Sequence, residues 1–349
     1  MTQENVIELS DIFKDFRVLE RNGGALRSFF RPRYRLVQAL RHLDLHAGPG
    51  EILGHIGPNG AGKSTTIKIL AGVMSPTRGA VRVAGLDPLR RRVEHQRNLG
   101  IVIGQRPRLV WDLPVIESFH YHGLIYRVER AVLKQRTADM VERFALEEFI
   151  TQPVRQLSLG QRMRCDLAMN LLHQPRVLLL DEPTIGLDVT AKKAFREVVR
   201  AAAREFGTTV LFTSHDLSDV EALSDRLVIM HRGEKIFDGT IAGLRQHLTV
   251  PSLLRLKSDA PPSVIAAVLA DLPGVLGVES EVVEGDEEEA EELQTLVRFD
   301  PQRSSAASLL RRLLAQPEIA IIDFALQEPP IEDIVSAIYE RNGVHAVPA

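Results

Sequence analysis

Gly57-Pro58-Asn59-Gly60-Ala61-Gly62-Lys63-Ser64-Thr65 is the stretch on which the reading of this chain turns. It fits G-x-x-x-x-G-K-[ST], follows the apolar residues Ile52, Leu53 and Ile56, and precedes a helical pattern over Thr66 to Leu70. Strand, glycine-rich loop and helix in that order make an anion cradle. The glycines let backbone N–H groups turn inward, and the helix offers its positive end. Lys63 adds charge, and the Ser64 hydroxyl can ligate Mg²⁺.

Outward from this loop, apolar runs at Val81 to Val83, Ile101 to Ile103, Val177 to Leu180, Thr208 to Thr213 and Arg226 to Met230 alternate with helical stretches. That alternation predicts a parallel sheet covered on both faces. Phe195, Val198, Val199, Ala202 and Phe206 recur at three- and four-residue steps and predict one apolar stripe on a helix after Asp188. A first strand is expected at Val6 to Leu9. Residues 17 to 41 carry seven arginines, at 17, 21, 27, 31, 33, 35 and 41, interleaved with Phe29, Phe30 and Tyr34, and read as a basic insertion.

Between 105 and 165 the text turns helical (Val115 to Tyr126, Ala131 to Phe149), as expected of an insert on the core. From 244 to 349 a second domain is expected: strand 253–256, helix 261–272, strand 275–283, strand 293–299, helix 304–314 and strand 320–326, then a final helix. The order βαββαβ is ferredoxin-like. Glu284, Asp286 to Glu289, Glu291 and Glu292 read as a solvated loop.

The run Val177-Leu-Leu-Leu-Asp181-Glu182 ends a strand in two acids. Side chains alternate along a strand, so the two carboxylates take different roles: Asp181 in a Mg²⁺ shell, Glu182 beside the terminal phosphate as general base. Ser158 followed by Gln161 is a capping box opening another helix.

Composition narrows the rest. The 349 residues suggest about two domains. A net charge of -3 nominates no nucleic-acid partner, and the lone Cys165 implies neither an internal disulfide nor a cysteine-rich metal site. The start lacks a signal-peptide layout, and no apolar run approaches the roughly 18 residues of a membrane span, so any crossing falls to another chain.

Taken together these elements resemble the ATP-binding subunit of an ABC transporter over roughly residues 5 to 243, with a helical signature subdomain on a RecA-like P-loop core. Leu157-Ser158-Leu159-Gly160-Gln161 resembles the family signature, with Leu159 in place of its first glycine. Gln105 resembles the glutamine that touches Mg²⁺ and reports to the membrane partner, and Leu187-Asp188 resembles the D-loop. His215 resembles the switch histidine, and Phe16, with Phe13 as rival, the aromatic that stacks on adenine. The resemblance implies ATP and Mg²⁺ as ligands, with Lys63, Gln105, Glu182 and His215 in catalysis. It also implies a head-to-tail partnership with a second ATP-binding subunit, expected to be identical, and polytopic permease chains at the inner face of the cell membrane. No nucleic acid is expected.

The basic segment, the run Gly104 to Pro114 and the ending Glu328-Pro-Pro-Ile-Glu-Asp-Ile resemble the multidrug or viologen exporter branch. The alternatives are a DNA-associated ABC ATPase, an importer subunit and a nonhydrolytic switch. Glu182 speaks against the last.

Overall fold

A computed structural model describes residues 5–19, 34–103, 108–247, 250–283, 292–327 and 329–342. The chain forms two compact units, residues 1–241 and 242–349.

The first unit runs β1 (Ile7–Leu19), β2 (Tyr34–Ala47), β3 (Ile52–Ile56), α1 (Lys63–Leu70), β4 (Arg78–Val83), α2 (Arg92–Arg97) and β5 (Leu99–Ile103). It continues with α3 (Val115–Ile125), α4 (Arg130–Arg143), α5 (Leu159–Leu171), β6 (Val177–Asp181), α6 (Val189–Phe206), β7 (Thr209–Thr213), α7 (Leu217–Leu223), β8 (Arg226–His231) and β9 (Glu234–Gly239). The central sheet has the order β5-β6-β7-β3-β8-β9, parallel except for β9. β3, β6 and β7 are buried at every residue. That is why they read as mostly apolar runs, broken by His55 in β3, Asp181 in β6 and the threonines at the ends of β7, each buried aliphatic side chain contributing roughly 1.5–3 kcal/mol. On α6 the stripe Phe195, Val198, Val199 and Ala202 is buried as its spacing predicts, and Ala203 joins it.

One expectation fails here. Val81 to Val83 lies in β4, which belongs to a separate antiparallel sheet, β2-β1-β4, and not to the parallel one. A short apolar run carries no information about strand direction, which comes from the partner. At the two ends of the basic segment Arg17 pairs with Leu36 and Leu19 with Tyr34, so both ends extend a two-stranded ribbon. β1 therefore runs well past Val6 to Leu9. Residues 20–33, with Arg21, Arg27, Phe29, Phe30, Arg31 and Arg33, lie outside the described residues, as does most of the acidic loop, 284–291.

The second unit contains α8 (Ile241–His247, starting at the boundary), β10 (Ser252–Ser258), α9 (Pro262–Leu269), β11 (Val275–Val283), β12 (Glu292–Phe299), α10 (Ala306–Leu314), β13 (Ile321–Gln327) and α11 (Ile331–Arg341). Its sheet is antiparallel in the order β11-β12-β10-β13. Leu254, Leu256, Val297 and Phe299 share one core with Ile265 and Leu269 of α9 and Leu309 and Leu313 of α10. Both helices thus pack on one face of the sheet.

Candidate functional site

β3 delivers the chain into the glycine-rich loop, and α1 begins at Lys63. Gly62 has φ +111, and a Cβ there would meet the Ala39 carbonyl oxygen at 2.8 Å and Leu40 Cδ2 at 2.6 Å. Glycine is required because β2 presses on the loop from behind. The loop closes on itself with Ala61 N–H donating to Pro58 O, 3.1 Å, and α1 starts with Thr66 N–H donating to Gly62 O, 2.9 Å.

The N-terminus of α1 has no side-chain cap, as is also true of α2, α3, α9 and α11, whereas α5, α6 and α7 are capped by Ser158, Asp188 and Asp216. The first N–H groups of a helix have no acceptor within it, so an uncapped start at the loop fits an anion. Lys63 folds over the same mouth, donating to Gly57 O at 2.5 Å and Pro58 O at 3.3 Å. Burial holds its ammonium below the ordinary lysine range, and the carboxylates of Glu182 and Asp181 pull the other way. A half-desolvated cation at the mouth of the loop fits phosphate oxygens.

The two acids diverge for a reason alternation did not supply. Asp181 ends β6 in extended form, but Glu182 takes φ +54, so the backbone turns between them. Asp181 Oδ1 accepts from Ser64 Oγ at 3.3 Å and from Thr213 Oγ1 at 2.7 Å. Glu182 swings toward His215, whose Nε2 lies 2.5 Å from Oε1, while its own N–H donates to Thr213 Oγ1 at 2.9 Å. Thr213 thus holds the side chain of one acid and the backbone of the next. The sequence reading passed over it; the signal was its place at the end of β7, in register with Asp181.

His215 is set by the turn after β7. Asp216 caps α7 and bonds Lys192 of α6, and Arg196 of α6 pairs with the buried Asp219. The Lys192 hydrogen bond, then that of Ser218, draws Asp216 down to about 2.

Ser64 and Asp181 put a hydroxyl and a carboxylate oxygen together beside the phosphate loop, and among the described residues no group of three or more His, Cys, Asp or Glu could hold a metal ion. So sparse a donor set suits Mg²⁺, which keeps waters and takes substrate phosphate oxygens. Gln105 lies outside the described residues.

Ser158 and Gln161 form the capping box, Gln161 N–H to Ser158 Oγ at 3.2 Å and Ser158 N–H to Gln161 Oε1 at 2.8 Å. A Cβ on Gly160 would stand 3.1 Å from that of Ala191, so the signature abuts the start of α6, where Asp188 accepts from Ala191 N–H. Phe16 pairs across the ribbon with Val37, two residues from the Ala39 carbonyl behind Gly62. Its rival Phe13 lies under the Arg78 guanidinium at 3.9 Å, and the Lys14 ammonium lies 5.2 Å from the Phe16 ring.

Known proteins similar to this chain fall in one family. The ABC transporter family profile matches residues 40–185. The ABC transporter ATP-binding protein NatA of Bacillus subtilis (strain 168) is 34% identical over 215 residues, 62% of this chain and 87% of that one. The daunorubicin resistance ATP-binding protein DrrA2 of Streptomyces coeruleorubidus is 32% identical over 315 residues, 90% of this chain and 94% of that one. A solved structure described as the ATP binding subunit of an ABC transporter superposes with a TM-score of 0.59 at 26% identity, covering 69% of this chain and 92% of its own.

Proposed function

We propose that this chain, which belongs to the ATP-binding subunits of ABC transporters, hydrolyses MgATP to drive export through a separate, membrane-crossing permease. The observation that carries this reading is the divergence of Asp181 and Glu182 around Thr213, beside an uncapped phosphate loop.

The loop N–H groups and Lys63 hold the phosphate charge in place. Mg²⁺, when bound, neutralises charge on the phosphate oxygens, with Ser64, Asp181 and Gln105 as its protein contacts. Glu182 accepts a proton from the attacking water. His215, hydrogen-bonded to Glu182, fixes that carboxylate and faces the terminal phosphate. Phe16 stacks on adenine. A positioned general base contributes about 10²–10⁴-fold, or roughly 3–5 kcal/mol of barrier.

The signature helix acts on the nucleotide of a second, identical copy, with Ser158, Gly160, Gln161 and Asp188 at the junction. Among the described residues no helix is long and apolar enough to cross a membrane. Exposed Trp111, Leu113, Tyr121, Leu124 and Ile125, on α3 and the segment before it, offer the permease an apolar surface at the inner face of the membrane. Export is supported by the exporter-like sequence features and by a relative named for daunorubicin resistance. The net charge of -3 lends a DNA-associated role no support.

Glu182→Gln tests the assignment. It should retain ATP affinity, lose at least a hundredfold in turnover, and accumulate as an ATP-dependent dimer in light scattering. Turnover within twofold of wild type refutes the role of Glu182.

A further inference from the structure

β13 is an edge strand of the second unit. Its sheet runs β11-β12-β10-β13, so among the described residues β13 has a strand on one side only. An edge offers a row of unpaired N–H and C=O groups, which folds commonly blunt with a charge, a proline or a bulge. At the opposite edge β11 does so, with Glu279 exposed and a register break between Val275 and Gly277. β13 reads Ile321-Ile-Asp-Phe-Ala-Leu-Gln327 and has neither lysine nor proline. Its register break falls at its start, and Asp323 to Gln327 pair regularly with Lys257 to Leu253.

The side chains leave this edge apolar. Ile322, Phe324 and Leu326 alternate along the strand and are 65%, 55% and 52% exposed. Phe324 pairs with Leu256 and Leu326 with Leu254, both fully buried, so the core that takes in α9 and α10 runs out to this edge and stops uncovered. A backbone donor is open as well. The N–H of Phe324 donates to the carboxylate of its own neighbour Asp323, 2.8 Å, so it faces away from β10 and a side chain holds the place of a strand.

The strand itself shows what fits there. Turned antiparallel about a two-fold axis through Phe324, β13 meets a copy of itself with Phe324 against Phe324, Ile322 against Leu326 and Asp323 against Ala325. Each exposed apolar residue then faces an apolar one, and no carboxylate faces another. A two-fold axis through Asp323 would oppose two carboxylates, and one between Asp323 and Phe324 would set the acid against the ring, so register is specified.

We propose that β13 is the seam between two copies of this chain, paired antiparallel about Phe324 so that two four-stranded sheets become one of eight, with or without nucleotide bound. The second copy that the signature helix requires is then always at hand, at an effective concentration on the order of 1 mM. That consequence rests on the head-to-tail reading of the ATPase units; the seam does not. With the seam in place nucleotide no longer sets the oligomeric state, so the ATP-dependent dimer of Glu182→Gln is to be read in a Phe324→Lys background.

The test uses the full chain without nucleotide. Sedimentation velocity at micromolar concentration should show a dimer, and Phe324→Lys should weaken it at least about tenfold by putting a charge on the edge. Leu326→Lys should do the same and serves if the first variant fails to fold. Disulfide trapping reads the register. Cys165 is buried, its thiol pushed up to about 12, and does not compete. Under mild oxidation Phe324→Cys should link to itself, because the Cα atoms of a bonded pair lie about 5.5 Å apart, whereas Gln327→Cys, about 20 Å from its copy in this register, should not. A monomeric wild-type chain, a dimer that both lysine variants leave intact, or Gln327→Cys linking as fast as Phe324→Cys overturns the proposal.

Steady-state ATPase assays on dilution test what the seam does. Turnover per chain of wild type should hold over a tenfold dilution, while that of Phe324→Lys should fall about tenfold, as mass action requires of chains that must meet to work. Equal dilution profiles overturn the tethering role. If neither chain hydrolyses ATP, the head-to-tail ATPase reading fails, and sedimentation and trapping still decide the seam.

Discussion

Replacing His55 by leucine should stabilise this protein, and should do so more strongly in acid. His55 sits in β3, directly before the phosphate loop, with 0% exposure and no hydrogen-bond partner at either ring nitrogen. Burial, and then the charge of Lys63, lowers it from 6.5 to about 3. The native protein therefore carries a neutral imidazole at pH values where the unfolded chain takes up a proton. Its contribution is intact above pH 6.5 and is lost as the pH falls toward 3.

At 1.36 kcal/mol per pH unit the whole displacement is worth roughly 5 kcal/mol, of which about 2 kcal/mol is gone by pH 5. Leucine cannot titrate and leaves no unpaired polar atom, an omission worth about 1–3 kcal/mol at pH 7. Urea unfolding followed by Trp111 emission reports on the first unit. The advantage of His55→Leu over wild type should be about 1–3 kcal/mol at pH 7 and grow by about 2 kcal/mol at pH 5, with an unchanged m value.

The difference between the two proteins is the quantity to read, because other groups titrate in the same window. His122 and His173, lowered by burial to about 3 and about 4, act in the same direction as His55. Asp166, raised to about 6, acts oppositely: its contribution is present below about 4 and is lost as the pH rises through 6. A leucine variant less stable at both pH values, or an advantage that does not grow in acid, refutes the reasoning.

Thr213→Val keeps the volume but removes the oxygen that holds the Asp181 carboxylate and the Glu182 N–H; kcat should fall about tenfold with little change in ATP affinity, and an unchanged kcat would deny Thr213 its positioning role. Gly62→Ala, whose new methyl would lie 2.8 Å from a backbone carbonyl at φ +111, should cost about 1–3 kcal/mol of stability or lose ATP binding in calorimetry; a variant neutral in both would show that β2 does not press on the loop. Lys63→Ala and Ser158→Arg chains, each inactive alone, should regain ATPase activity on mixing, since a mixed dimer has one intact site. Exchange of subunits without recovery would place both residues in one chain's site or require a different partner ATPase.

Much of the site was legible because the chemistry is local in sequence. A phosphate loop needs its glycines, Lys63 and Ser64 consecutively, and a helix does start at Lys63; the capping box needs Ser158 and Gln161 three apart, and it forms. The apolar runs of β3, β6 and β7 announced a buried parallel sheet because strands covered on both faces tolerate little else. What depended on partners distant in sequence was not legible. β4 joined an antiparallel sheet and the two described ends of the arginine-rich text pair as a ribbon, because strand pairing is set by the neighbour and not by the run itself. Asp181 and Glu182 part through a left-handed residue rather than through alternation, and Thr213 enters the site only because β7 lies beside β6. Asp166 and Asn170 look in sequence like ordinary polar positions on a helix. Only the packing of α5 against the open edge of β5 makes them acceptors for the N–H groups of Arg108 and Ile101, since a hydrogen bond across more than fifty residues leaves no periodic trace in the chain.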